Sequence, residues 1–491
     1  MKKIKKIVGS IFIAAAALYL LLLIPDAAPK PVQLSATQQP FIWNKDSLWL
    51  ALEMQMARAK AEDSSLKITT IAAMDTALLQ QLRLLQQKNI PYTDSLYHHI
   101  ENHFFKLAPL VAGMPQYVPD YVTHYNGLRA IIKKQSAQWP LDKPEAFNQL
   151  YRLLYGMRAA VEEVLLQADS NKAAQTHWVT AEPSATPAAI INGITVHSGD
   201  ILVSRGGAVV SAFIARGNNH PGNFSHIALV YVDEHNGKPY LLESHIEKGV
   251  AIADVSQYLK DKKLRFMVMR LRSDLPALKR NPMLPHVAAT AMYQQSLKNP
   301  IPYDFAMNYR QPDAMFCSEV AYHAYRQNGI TLWPQLSVIA DTGVANWLHQ
   351  FGVENFSTQM PADLEYDAQL NVVAEWRDNE TLYKDHVDNA VMDAMLERAN
   401  RGWNIRYNHW MLPIARIIKT WSVIKNKMGS TGPIPQGMNA TTALKNQWLV
   451  QQHNKAVLEV KAMADGFIKT NNYRPPYWQL LDMARREVNK L

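Results

Sequence analysis

From Ser47 to about Gln175, apolar residues recur at spacings of three and four in SLWLALEMQMARAKAE, MDTALLQQLRLLQQKN and FNQLYRLLYGMRAAVEEVLLQAD, a period that predicts a helical bundle. TAEPSATPAA, 180–189, interrupts it with two prolines and small polar residues and reads as a linker. The period then changes to two, or to short continuous apolar runs, in DILVSR, SHIALVYV, KPYLLESH, GVAIADV and LRFMVMRL. Each is predicted to be a strand, with breaks at Gly199, at Asn218, Gly222 and Asn223, and at Asn236-Gly237. PHVAATAMYQQSLKN predicts a helix, and another runs from about Cys317 to Gln327, stopped by Asn328-Gly329. Residues 190–350 therefore read as an α+β domain.

Helical periodicity returns in 351–491, for example in YKDHVDNAVMDAMLERANRG and TTALKNQWLVQQHNKAVLEVKAMADGFIKT. Here Ile414, Ile417, Ile418, Trp421, Ile424 and Met428 share one helical face, and Arg416, Lys419, Lys425 and Lys427 lie elsewhere. The plain reading is a core-facing helix with solvated charges. The other is a helix resting on an anionic membrane surface.

The amino end puts Lys2, Lys3, Lys5 and Lys6 before an uncharged apolar run of 18 residues from Ile7 to Ile24, then Pro25 and a Pro/Ala-rich spacer. That is an export signal or a membrane anchor, and the run is long enough to span a bilayer. Asp26 stands where a cleavage site before Ala28 wants a small residue, which favours an uncleaved anchor. Lysines on the amino side hold that end in the cytoplasm, so the expectation is an inner-membrane anchor with the body in the periplasm. The layout is then an anchor at 1–30, a helical domain at 40–179, the linker, the α+β domain and a helical region at 351–491. Several domains also suit 491 residues, which exceed what one core usually holds.

The net charge of +9 includes the four leader lysines, so the body is mildly basic, and no Lys/Arg tract with interleaved aromatics marks a nucleic-acid site. A single cysteine permits no internal disulfide. Cys317 is either a buried filler or a reactive thiol. At a helix start, unpaired N–H groups and the dipole favour the thiolate, so a lowered pKa is expected. A base partner is available in His226, at the first position of a strand. In a hairpin across Asn236-Gly237 the odd positions Glu243, His245 and Glu247 share a face with His226. A two-residue turn sets Glu247 opposite it, and a wider loop moves that position towards His245 or Glu243. No H-E-x-x-H or paired Cys/His spacing marks a metal site, and G-x-S-x-G is absent, so no metal or organic cofactor is expected.

The Gly-Asp strand start at Gly199–Leu202, SHIALV, LLES with Gly-Val soon after, and FCSEVAYHAY resemble the YiiX/YebB-like group of NlpC-type, permuted papain-like cysteine hydrolases, over about residues 195–335. The resemblance implies a papain-like domain with an antiparallel sheet in permuted order, flanked here by two mainly helical regions. It implies Cys317 as nucleophile, His226 as base and Glu243 as third member, with Tyr303 of IPYDFAMN helping the Cys317 N–H to stabilise an oxyanion. His245 and Glu247 remain the alternatives for the third place. The function implied is a membrane-anchored, envelope-facing cysteine hydrolase, an amidase or peptidase or an acyl hydrolase, with cell-wall peptide as first-guess substrate and acyl-lipid as the other. The rival is a non-catalytic ligand-binding or scaffold protein working through its helical arms.

Overall fold

The continuous apolar runs fold as strands because both faces of one sheet are covered. The computed structural model describes residues 2–25, 47–61, 64–168, 176–311, 313–428 and 430–491. Its strands are β1 (Thr176–Trp178), β2 (Ala188–Ile191), β3 (Ile194–His197), β4 (Ile201–Gly206), β5 (His226–Val232), β6 (Pro239–His245), β7 (Gly249–Asp254), β8 (Lys263–Leu271), β9 (Ser337–Val338), β10 (Ser357–Thr358) and β11 (Leu370–Arg377). Seven of them form an antiparallel sheet in the order β1-β11-β8-β4-β5-β6-β7. The five strands read from the sequence lie at its centre and one edge, and β11 and β1 join from outside 190–350.

Successive residues of each strand enter opposite cores. Ile201, Val203, Leu229, Met267 and Met269 face a core shared with the amino-terminal helices. Leu202, Ala228, Val230, Leu241 and Val268 face a second, smaller core closed by the β2–β3 hairpin.

The amino-terminal helices are α1 (Lys2–Leu22), α2 (Ser47–Ala61), α3 (Ser64–Gln87), α4 (Ser95–Ala112), α5 (Val118–Ser136), α6 (Pro144–Tyr151) and α7 (Met157–Gln167). Within the central region lie α8 (Val209–Arg216), α9 (Val255–Lys260), α10 (Pro276–Arg280), α11 (Leu284–Lys298), α12 (Glu319–Gln327) and α13 (Thr342–His349). Then come α14 (Asn379–Asn400), α15 (Leu412–Lys427), α16 (Ala440–Asn471) and α17 (Tyr477–Val488). Side chains of α14, α16 and α17 share a third core with α8 and α13.

Buried charges join these layers. Arg158 of α7 binds Glu365 through Nε at 2.8 Å and Glu375 of β11 at 3.4 Å. Glu375 also pairs with Arg129 of α5 and Arg377. Arg265 of β8 reaches Glu162 of α7 and, at 2.7 Å, Asp385 of α14, which Arg205 of β4 also contacts at 3.1 Å. Burial pushes the Glu375 carboxyl up, but the guanidinium groups of Arg129, Arg158 and Arg377 overcome it and hold it well below the usual carboxylate range.

Three sequence readings meet particular structure. Segment 180–189 has no helix but is fastened: Glu182 accepts from the Ser273 N–H at 2.7 Å and Asn371 Nδ2 at 2.6 Å, and its carbonyl accepts from Arg270 at 2.6 Å. The leader is helical in α1, yet no helix among the described residues is long and apolar enough to cross a membrane, so the expected transmembrane helix gains no support. Asp26 and Ala28, on which the uncleaved reading rests, lie outside the described residues. Helix α15 reverses the core-facing reading, because Ile414, Ile417, Ile418, Trp421, Ile424 and Met428 are all exposed.

Two outcomes follow from the fastening. Limited proteolysis leaves 180–189 intact while the fold holds; early cleavage there would show that the Glu182 contacts do not restrain it. Glu375→Ala takes the carboxylate from the buried guanidinium groups of Arg129 and Arg377, while Arg158 keeps Glu365, and it lowers the unfolding free energy by about 3–5 kcal/mol, measured by denaturant titration.

Candidate active site

Strand β5 sets His226 at the sheet end, with Ser204 of β4 as its register partner. The hairpin to β6 is wider than a two-residue turn. Val232 pairs with Pro239, the Asp233 N–H donates to the Lys238 carbonyl at 3.0 Å, and Asp233 Oδ1 accepts from the His235 N–H at 2.8 Å. Compared with the tight turn the register moves by two residues, which preserves the face and changes the neighbour. Continued to its end, this register sets His245 opposite His226, with ring centroids 5.4 Å apart. Glu247 falls beyond the end of β6.

Glu243 stands diagonally between the two rings. Its Oε2 lies 2.7 Å from His226 Nε2 and its Oε1 3.0 Å from His245 Nε2. Burial pushes the Glu243 carboxyl up, but the hydrogen bonds from the two imidazoles outweigh it and hold the group ionised. An ionised carboxylate only accepts, so Nε2 of His226 carries the proton and Nδ1 the lone pair. Burial lowers the His226 pKa and Glu243 offsets part of that, so the imidazole is neutral at pH 7.

Cys317 precedes α12 by two residues and is 5% exposed. Its thiol points at the carbonyl of Ser225, the residue before His226, with Sγ to O 3.7 Å. The expected lowering of its pKa is reversed. Burial pushes the thiol up to about 11, against the Ser318 hydroxyl and the Ser318 and Cys317 N–H groups, which pull the other way. At neutral pH the resting pair is thus a thiol and a neutral imidazole. Glu319 accepts the Phe316 N–H at 2.9 Å, and burial raises its carboxyl to about 8.

The cysteine segment is tied to the sheet by contacts that sequence patterns do not announce. Ser244 Oγ donates to the Met315 carbonyl at 2.6 Å, and the Met315 N–H donates to Pro302 at 2.9 Å. The Val250 N–H donates to the Ile301 carbonyl at 2.9 Å. That approach requires Gly249, whose φ is +77° and whose added Cβ would lie 2.1 Å from the same oxygen. These bonds bring half-buried Tyr303 near the thiol. Burial pushes its phenol well above the usual range, as a thiolate on Cys317 would too, leaving it a neutral donor.

His226, Glu243 and His245 also offer ligand atoms within 4.8 Å of one another, a donor set that suits zinc or a similar ion. A metal held through the Nε2 atoms would displace the hydrogen bonds that those atoms give Glu243.

A comparison with curated proteins gives no match. Among solved structures, one titled as metalloprotein yiiX from Escherichia coli O157:H7 aligns at 20% identity and a TM-score of 0.30, over 37% of this chain and 97% of that one. Residues 195–374 match the family described as permuted papain-like amidase enzyme, YaeF/YiiX, C92 family, and the domain they form is YiiX-like, of the permuted papain-like fold and hydrolase type.

Proposed function

We propose that the chain is a cysteine hydrolase acting on an amide or ester at the cell envelope, with Cys317 as nucleophile, His226 as base and Glu243 as its orienting partner. The observation that carries this is the 2.7 Å bond from His226 Nε2 to Glu243, which leaves Nδ1 as acceptor while the thiol lies against the neighbouring Ser225 carbonyl. Sulfur attacks the substrate carbonyl carbon as Nδ1 takes the thiol proton. The oxyanion is stabilised by the Cys317 N–H and the Tyr303 hydroxyl. Collapse expels the amine or alcohol, which takes the proton from the imidazolium. Water, deprotonated by the same nitrogen, then splits the thioester and restores the thiol. Cell-wall peptide and acyl-lipid are the substrate classes proposed, and the lysine-flanked leader supports an envelope location.

The cluster of His226, Glu243 and His245 favours one second reading, a domain that holds a metal ion without chemistry. Envelope extract offered to the full chain separates the two: a covalent acyl adduct on Cys317 supports the hydrolase. Hydrolysis disappears in Cys317→Ala and falls by about 10²–10⁴-fold in His226→Ala, with a smaller loss in Glu243→Gln. His245→Ala removes zinc binding in equilibrium dialysis but leaves hydrolysis. Zinc binding with no adduct and no turnover would favour the second reading.

The pH dependence follows from the shifts. A buried His226 titrates below the usual imidazole value of about 6.5, so hydrolysis is lost as pH falls through that lowered value and is level at neutrality. With no substrate bound, alkylation of Cys317 is slow at pH 7 and still climbing at pH 9, because its thiol titrates at about 11. A plateau in alkylation below pH 7 would show a preformed ion pair instead.

A further inference from the structure

Helix α15 turns its larger apolar side chains away from the protein. Its buried positions are Leu412, Pro413, Ala415 and Ser422, while Ile417 is 64% exposed, Trp421 54% and Met428 75%. Trp410 and Met411, just before the helix, extend the exposed face. Helix α1 lies beside it: Arg416 donates to the carbonyls of Leu22 at 2.9 Å and Ile24 at 2.8 Å, and the Tyr19 hydroxyl donates to that of Trp410 at 3.0 Å. Exposed Phe12, Ile13, Leu18, Leu20 and Leu21 of α1 add to the apolar surface. Single exposed apolar residues are ordinary, but a contiguous patch marks a contact surface.

Charge selects the occupant. Between Glu397 and Glu459 the chain has nine Lys and Arg residues and no Asp or Glu. A second copy docked face to face would bring Lys425 and Lys427 of the two copies together in a stretch with no carboxylate to offset them, whereas anionic headgroups neutralise them. A tryptophan at the end of an apolar face, as Trp410 is here, suits the headgroup level of a bilayer.

We propose that α15, with Trp410, Met411 and the adjoining α1, is a docking face for an anionic phospholipid bilayer. The isoleucines and Trp421 enter the boundary between headgroups and acyl chains, and Lys425 and Lys427 meet the phosphates. The face stands apart from the chemistry of Cys317, yet its inner side reaches the site. Ser422 Oγ accepts the Ile434 N–H at 3.0 Å, and Lys419 Nζ donates to the carbonyls of Pro435 and Gln436, both at 2.8 Å. The Gln436 N–H donates to Glu247 at 3.3 Å, and Gly437 sits so close to Phe305 that a Cβ would lie 1.8 Å from the ring. Phe305 packs edge-on to Tyr303, with centroids 4.8 Å apart. Docking therefore holds the thiol site at a set distance from the lipid surface.

The test uses the full chain in a Cys317→Ser background, reconstituted in phosphatidylglycerol/phosphatidylcholine vesicles, with a fluorophore on Ile417→Cys or on Gln447→Cys, an exposed α16 position. Brominated acyl chains quench the probe at 417 about threefold more than the probe at 447, and iodide quenches it less, if α15 lies at the acyl boundary. Lys425→Glu with Lys427→Glu, or phosphatidylcholine alone, reduces the bromolipid quenching at 417. Quenching at 417 by iodide but not by bromolipid would overturn the proposal, and so would cross-linking between 417 positions of two copies with no lipid effect. Ile417→Glu with Trp421→Glu should leave the melting curve unchanged, which separates loss of docking from loss of fold.

Discussion

The structure depends on a set of buried ion pairs that neutralise one another where helices from both flanks meet the sheet. Arg129 and Arg158 come from the amino-terminal bundle, Arg205, Arg265, Glu375 and Arg377 from the strands, and Asp385 from α14. Each charge taken from water costs several kcal/mol unless it is paired, so no layer can leave without stranding charges in another. This is the physical reason that three sequence regions share one framework. It also holds the end of β4 next to β5, where His226 begins.

At the site, burial competes with every polar influence on Cys317. The N–H groups at the start of α12 favour the thiolate, as the helix start implied, but a cysteine that is 5% exposed loses more by desolvation of its sulfur than it gains from them. Glu243 resolves the same contest the other way, because two imidazole donors reach its oxygens. The chemistry proposed here therefore begins from neutral partners, with the proton moving as the bond forms. His245, which the hairpin geometry offered as an alternative third member, instead shares Glu243 with His226.

Much of the architecture was legible in the residues. The runs DILVSR, SHIALVYV, KPYLLESH, GVAIADV and LRFMVMRL became β4 to β8 with ends within a residue or two, because an apolar run bounded by Gly and Asn has few other ways to bury itself. LNVVAEWR became β11 and was hidden by Glu375 and Arg377, which look like solvent-facing charges until Arg129 and Arg158 are brought against them. β1 has three residues and carries almost no pattern. The alternation in the hairpin was readable, but loop width was not, since it turns on Asp233 closing the turn with its own backbone and side chain.

By itself the sequence determined the order of strands and helices in the central domain, the face that His226 shares with Glu243 and His245, and the presence of one thiol near a helix start. These follow from periodicity and chain order, which are local. Tertiary structure decided which acidic residue meets the imidazole, how strongly Cys317 holds its proton, and which side of α15 is left uncovered. The first depends on how Asp233 closes the hairpin turn, and the other two on burial by residues tens to hundreds of positions away, since desolvation has no signature in a neighbouring residue.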